Sequence, residues 1–131
     1  MRRPNLSTLS VGKSRLKIGV MVLPTQKDML VTIRRDNARG REPGVANNTI
    51  AYCNTSKSVI GRHAAVVYFC KPHLSVGVVA HEMTHAAFAV LARRKVKSIE
   101  CSTEEPAEHE EELCYLVQDL TDQFYKRFGI K

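Results

Sequence analysis

The amino-acid sequence predicts an α+β fold, in which a small, mostly antiparallel sheet of about four strands packs on two helices. Three observations predict this fold. Segments of strand length rich in β-branched residues occur in the first half, a long alanine-rich segment follows His73, and an apolar stripe at helical spacing ends the chain. Because 131 residues with 44% hydrophobic side chains suffice for one core but rarely for two, we expect a single domain over residues 1–131.

Four segments are the candidate strands of this sheet. They combine apolar and β-branched residues and are bounded by polar or turn-forming residues; they are residues 16–23, 30–33, 49–53 and 64–70. Residues 34–44, between the second and third segments, contain glycine, proline, asparagine and four arginines, a composition typical of a loop. We therefore expect these arginines to lie on a solvated surface.

The hydrophobic period changes after residue 73 to one typical of helices. Ser75 is a candidate N-cap for a helix over residues 76–92, which is rich in alanine, apolar on nearly all sides and followed by three cations. Such a helix is expected in the protein interior. We do not expect residues 74–92 to span a membrane, because two histidines and a glutamate would lie near the bilayer centre at a cost of several kcal/mol.

A second helix is predicted in the acidic C-terminal part of the chain. It begins at Ser102 or Thr103, has Pro106 and several glutamates in its first turns, and runs to Gly129. Apolar residues recur along this segment at spacings of three and four and form one stripe, which consists of Leu113, Leu116, Val117, Leu120, Phe124 and Phe128. The stripe predicts one face buried against the rest of the protein.

Charge is distributed unevenly along the chain, whose formal net charge is +7. Residues 1–41 hold ten basic and two acidic side chains, whereas residues 98–131 hold three and nine. The basic part could bind nucleic acid or an acidic partner, but it could equally face the acidic segment, so nucleic acid is not favoured. Without a recognisable secretory signal or CxxC pair, we expect the four cysteines to be reduced and the protein to be cytoplasmic.

One group of residues in the predicted helix 76–92 is a candidate metal-binding and catalytic site. His81, Glu82 and His85 form the pattern HExxH. A spacing of four places both imidazoles on one helix face, within reach of a single Zn²⁺ at nitrogen–metal distances of about 2.0 to 2.1 Å. Glu82, beside the first ligand, can hold a water molecule and accept its proton. Burying all three side chains on an interior helix would cost several kcal/mol, and a coordinated metal would offset that cost.

A catalytic zinc site needs a third protein ligand and one open position. The extended pattern HExxHxxGxxH is absent, since Phe88 and Ala92 occupy the positions of its glycine and last histidine. Composition leaves five candidates in the acidic helix: Glu108, His109, Glu110, Glu111 and Glu112. We predict Glu111, because Cys114, about one turn later, is a small residue that lets a ligand helix approach closely.

Residues 81–85 (HEMTH) and 110–115 (EEELCY) together resemble the gluzincin zinc metallopeptidases. The resemblance is strongest to short members encoded in phage and bacterial genomes, whose second motif is similar to Glu-x-x-Ala-Tyr; Cys114 occupies the small-residue position. It implies a minimal zincin-like domain in which His81, His85 and Glu111 bind zinc and Glu82 is the general base. It extends from the HExxH helix into the second helix.

These observations predict a zinc-dependent peptidase that acts on a peptide or protein substrate. The ion would lower the pKa of a water molecule from about 15.7 to about 7 and polarise the scissile carbonyl. A further group should stabilise the oxyanion. Sequence spacing does not decide whether this group is Tyr115, His109 or Tyr52. We take Tyr115 as the second candidate catalytic residue, after Glu82.

Two further expectations concern the substrate and the rival function. Residues 64–70, as a strand close to the zinc, could pair with an extended substrate backbone. The alternative to a peptidase is a zinc-containing, non-catalytic binding protein that uses its basic surface for nucleic acid or an acidic protein partner.

Overall fold

A computed structural model describes residues 6–95 and 108–129, and within them it confirms the α+β class. The elements in chain order are β1 (Ser7–Ser10), β2 (Lys17–Leu23), α1 (Gln26–Arg39), β3 (Ala51–Asn54), α2 (Lys57–Ile60), β4 (Ala65–Cys70), α3 (Val76–Arg93) and α4 (Glu108–Phe128). A single 3-10 turn, Lys71–His73, leads from β4 towards α3. No helix in this part of the chain is long and apolar enough to cross a membrane.

The four strands form one mixed sheet in the order β1-β2-β4-β3. β2 runs parallel to β4, whereas β1 pairs antiparallel with β2 and β3 pairs antiparallel with β4. The predicted four-stranded, mostly antiparallel sheet is therefore confirmed. Three predicted segments form β2, β3 and β4 with ends shifted by one or two residues, while β1 was not predicted.

Strand β4 is buried at every position and divides the core into two layers. Ala65, Val67 and Phe69 face one cluster, which includes residues of α3 and α4. Val66 and Tyr68 face the other cluster, which includes residues of α1 and α2. Because successive side chains of a strand point to opposite faces, an entirely apolar strand requires cover on both sides of the sheet.

Helix α1 provides that second cover, and it corrects two predictions. Residues 30–33 form part of α1 rather than a strand, and residues 34–39, predicted as loop, continue the same helix. Thr25 caps the start, its hydroxyl accepting a hydrogen bond from the Asp28 backbone N–H at 3.0 Å. Buried Met29, Leu30 and Ile33 follow at helical spacing. Helical burial of this face outweighed the local β propensity of residues 30–33.

A buried polar network fastens α1 to the sheet. The hydroxyl of Tyr68 in β4 donates to Asp36 Oδ2 at 2.7 Å, and the Asn54 side-chain amide in β3 donates to Asn37 Oδ1 at 2.7 Å. Asn37 in turn donates to the Pro43 carbonyl at 2.9 Å. Buried polar groups need such partners, and here the partners fix the register of α1 over the strands.

Helix α4 packs against α3 and the sheet through its predicted stripe, of which Leu116, Leu120 and Phe124 are buried. The Phe124 and Phe69 rings lie 5.0 Å apart. The predicted start of this helix at Ser102 or Thr103 falls outside the described residues. Near its other end, Gln123 hydrogen-bonds both the N–H and the carbonyl of Ser10, so α4 covers the outer edge of β1.

We expect Tyr68→Phe to lower the free energy of unfolding by about 1.5 to 3 kcal/mol, because the ring keeps its packing while buried Asp36 loses a hydrogen-bond donor. Urea denaturation followed by circular dichroism measures this change. Tyr115→Phe is the matched control, since Tyr115 is 66% exposed and its loss of a hydroxyl should have no measurable effect. Equal stability of both variants would contradict the structural role of the Tyr68–Asp36 hydrogen bond.

Candidate metal centre on helix α3

The helix that carries HExxH begins and extends as the sequence predicts. The Ser75 side chain accepts a hydrogen bond from the Val78 backbone N–H at 3.1 Å, and α3 continues to Arg93. Only one face of α3 is buried, however, and His81, His85 and Phe88 lie on the exposed face. The prediction of a helix buried on nearly all sides is therefore wrong. Hydropathy alone could not reveal this, because alanine is tolerated on both buried and exposed faces.

The two imidazoles lie side by side on this exposed face. The ring centroids of His81 and His85 are 5.0 Å apart, and the ring planes make an angle of 72°. Two imidazoles that bind one tetrahedral zinc at about 2.0 to 2.1 Å would have centroids about 5 Å apart, since each centroid lies roughly 1 Å behind its nitrogen. The spacing of the pair therefore fits a shared zinc ion. Because both rings are exposed, they do not have the burial cost expected for histidines on an interior helix.

Glu82 is the buried member of the motif. Its residue is 7% exposed, and its Oε2 has no hydrogen-bond partner among the described residues. Burial raises the pKa of this carboxyl, while the neighbouring His81 and His85 act in the opposite direction. A buried carboxylate oxygen without a partner is costly, so it indicates a ligand, such as water or a metal-bound group, in the functional state. Of the three side chains in the motif, only Glu82 therefore has a burial cost that a bound metal could offset.

The strand beside the HExxH residues is β3. Ala51 and Cys53 contact the cluster that includes α3, whereas Tyr52 packs on the opposite face, its ring centroid 6.1 Å from that of Tyr68. Tyr52 therefore lies on the α1 side of the sheet, away from α3. A hollow of about 360 Å³ between β3 and α3 is lined by Ile50, Ala51, Gly77, Val78, His81 and Glu82.

The prediction that residues 64–70 pair with substrate is wrong, because β4 is an inner strand with β2 on one side and β3 on the other. Within the described residues, no strand pairs with the outward edge of β3. β3 is therefore the strand that an extended peptide could join. The inner position of β4 was predictable from the sequence, since an uninterrupted run of six apolar residues such as 65–70 is typical of a central strand.

Within the described residues, the structure does not bring a third metal ligand to the two imidazoles. No three His, Cys, Asp or Glu side chains of residues 6–95 and 108–129 are grouped as a metal site. Glu112 forms an ion pair with Arg94, which places the start of α4 beside the end of α3. Arg94 lies nine residues after His85, or about 14 Å along the helix axis. Glu111 is half-buried beside this ion pair, and its role as a ligand stays a prediction.

The other acidic-helix candidates and Tyr115 occupy the same end of α4. His109 Nδ1 lies 3.5 Å from Glu112 Oε2, and Glu110 is half-buried. The side chain of Glu108 is outside the described part of the structure. Tyr115 is 66% exposed on the surface of α4, and no observation connects it to the HExxH residues.

Sequence reasoning did not identify Cys53 as a neighbour of the candidate site. It is half-buried on the α3 side of β3, and burial, followed by the negative charge of Glu82, raises its pKa to about 12. Its thiol is therefore neutral at physiological pH and can donate a weak hydrogen bond. No periodic or spacing signal in the chain links residue 53 to residue 82, because the packing of α3 on β3 brings them together.

We expect Cys53 to react with iodoacetamide at pH 8 at least about 100-fold more slowly than Cys114, because the raised pKa leaves little thiolate and burial limits access. Mass spectrometry of timed digests measures both rates in one sample, and Cys114 is the exposed control. In Glu82→Gln, labelling of Cys53 should become faster, since one negative charge is removed. Labelling of Cys53 at the rate of Cys114 would contradict this electrostatic environment.

Comparisons of the chain with protein-family descriptions, with curated proteins and with solved structures found no match. The similarity to gluzincins therefore rests on the residues of the HExxH and EEELCY segments. His81, Glu82 and His85, with the strand and hollows next to them, are the features of the described residues that bear on function.

Proposed function

We propose that this protein is a zinc-dependent peptidase whose active site lies on the exposed face of α3. The proposal rests on one arrangement: two exposed imidazoles with centroids 5.0 Å apart lie next to a buried glutamate whose Oε2 has no partner among the described residues. The imidazoles provide nitrogen ligands that zinc binds well, and the glutamate provides a proton acceptor beside them. A purely structural zinc site would not need this acceptor, because it closes its coordination with protein ligands.

The residues of the motif have separate roles in peptide hydrolysis. When bound, zinc would supply Lewis-acid chemistry, lowering the pKa of a water molecule and polarising the scissile carbonyl. His81 and His85 would hold the ion. Glu82 would accept the proton of the attacking water and transfer it to the leaving amine; burial favours this role, because a raised pKa makes its carboxylate a better proton acceptor than a solvated glutamate.

The free edge of β3 supports a polypeptide as the substrate. This edge lies beside α3, and its backbone could form main-chain hydrogen bonds with an extended peptide. No described residue covers the two imidazoles, so such a peptide could reach them. Tyr115 remains our candidate for oxyanion stabilisation, as a proposal from the sequence.

A zinc ion held by the two imidazoles would still need a third protein ligand. Glu111 could bind a zinc ion held by His85 only if the start of α4 moved along α3 towards the motif. Otherwise the two imidazoles would share the ion with water and substrate, and zinc would bind more weakly than at a three-ligand site. Glu108, His109, Glu110 and Glu112 are the other candidates.

Zinc content and cleavage by Glu82→Gln test the peptidase proposal together. We expect wild-type protein purified without an affinity tag to carry about one zinc ion per chain and to cleave unstructured peptides. Glu82→Gln should keep the metal and lose turnover by at least about 100-fold, because the general base is removed. Atomic emission measures the metal, and mass spectrometry of a peptide mixture measures cleavage.

His85→Ala and His73→Ala form the matched pair for metal binding in this experiment. Both histidines are exposed, but only His85 belongs to the motif, so only His85→Ala should lose zinc. Zinc-loaded protein that cleaves no peptide would leave the zinc-containing binding protein as the better description. Unchanged cleavage by Glu82→Gln would remove Glu82 from the mechanism.

We expect Glu111→Gln to weaken zinc binding by about 10-fold or more if the start of α4 supplies the third ligand, since an amide oxygen is a poorer ligand than a carboxylate. Competition with a chelating dye measures the affinity. Asp119→Asn is the control, because Asp119 is an exposed carboxylate on the same helix. An unchanged affinity for Glu111→Gln would exclude this residue and direct the same measurement to Glu108, His109, Glu110 and Glu112.

A further inference from the structure

A groove of about 550 Å³ lies beside the candidate active site, on the side of His85 that leads to the end of α3. It is distinct from the hollow beside His81 and Glu82. The wall on α3 includes Phe88 and Ala92, and buried Ala64, just before β4, also lines the groove. The groove therefore continues the surface on which the imidazoles lie.

Phe88 gives this groove an unusual apolar surface. It is 47% exposed, although it lies only three residues after His85, on the same side of the helix. Large aromatic side chains that remain partly exposed beside a concave surface are typical of binding sites, because a bound apolar group removes their surface from water.

Among the described residues that line this groove, two are cations and none is acidic. Lys57, at the start of α2, is exposed and forms no ion pair with the described residues. Arg93, near the end of α3, donates one hydrogen bond to the His63 carbonyl at 3.2 Å, which holds its guanidinium near the groove while leaving other N–H groups available. The two positive charges among the described lining residues favour an anionic ligand.

The hollow on the other side of the motif has a different character. It is lined by small or apolar residues together with His81 and Glu82, and it contains no lysine or arginine. A peptide lying along α3 and β3 would thus meet apolar residues and the Glu82 carboxyl on one side of the histidines and two cations on the other. Arg93 is eight residues, or about 12 Å, from His85, which an extended chain spans in about four residues.

From this asymmetry we infer that the groove lined by Phe88, Lys57 and Arg93 binds an apolar peptide segment bearing a carboxylate, within about four residues of the bond to be cleaved. The assignment of the segment to a substrate rests on the proposed peptidase function, whereas the groove's preference for an apolar anion does not. The substrate class is then a peptide that is acidic and apolar on one side of the scissile bond only.

Binding of small probes to metal-free protein tests this preference separately from catalysis. 4-Phenylbutyrate carries an aromatic ring and a carboxylate, and 4-phenylbutylamine carries the same ring and a cation. In a titration followed by amide NMR shifts, we expect phenylbutyrate to shift the signals of residues 57, 88, 89 and 93 and to bind at least about 10-fold more tightly than the amine. A chelator keeps zinc absent, so the carboxylate cannot bind through the metal.

Charge-neutral variants identify the cations responsible. Lys57→Gln should weaken phenylbutyrate binding about three- to tenfold, whereas Lys13→Gln, which removes an equally exposed charge in the β1–β2 connection, should leave it unchanged. Phe88→Ala should weaken binding of both probes, because both carry the ring. Arg93 is left intact in these variants, since its hydrogen bond to His63 contributes to the structure.

Equal binding of the two probes, binding away from these residues, or no binding up to the solubility limit of phenylbutyrate would overturn the inference. None of these results would contradict zinc-dependent cleavage. Conversely, a protein that binds phenylbutyrate in the groove but hydrolyses no peptide would retain the anion site and lose the peptidase assignment. If both hold, the cleaved peptides should be enriched in Asp and Glu on one side of the cut, and Lys57→Glu should reduce that enrichment.

Discussion

The one-sided packing of α3 on the sheet determines the chemistry open to its HExxH residues. Val79, Met83, Ala86 and Val90 lie on its buried face and contact the strands and α4. Because each helical residue turns by about 100°, burial of this face leaves both histidines in solvent and draws Glu82 inward. A rotation of α3 by one residue position would, depending on its direction, either bury both imidazoles or expose the carboxylate, so this packing is what combines two exposed rings with a buried carboxyl group.

The two edges of the sheet differ in whether another strand could pair with them, and the open edge lies beside the candidate site. Side chains of α4 hydrogen-bond the backbone of β1, so that edge is closed to another strand. The edge formed by β3 remains unpaired within the described residues and lies next to α3. Polar contacts on the opposite face, including those of Asn54 with Asn37, hold β3 in place. The strand can therefore stay ordered without a neighbour on its outer side.

Several elements were predictable because their signals are local and agree with their tertiary environment. Ser75 followed by a long alanine-rich segment is one example, and the stripe from Leu113 to Phe128 is another. The strand predicted for residues 30–33 is wrong because a four-residue apolar run fits a buried strand and a helix equally well. The cap formed by Thr25 and Asp28 favoured the helix, but its effect depended on burial of Met29, Leu30 and Ile33 beneath the sheet.

The chain's covalent order is enough to place two imidazoles one helical turn apart with a carboxylate between them, because helical spacing is a local property. Contacts between distant segments decide which of those groups is buried. They also decide which strand lies beside the three side chains and whether a third ligand reaches them. Packing of α3 on the sheet buries Glu82 and brings Cys53 of β3 near it, and the Arg94–Glu112 ion pair holds the start of α4 near the far end of α3. Such long-range contacts have no period that a single sequence could display.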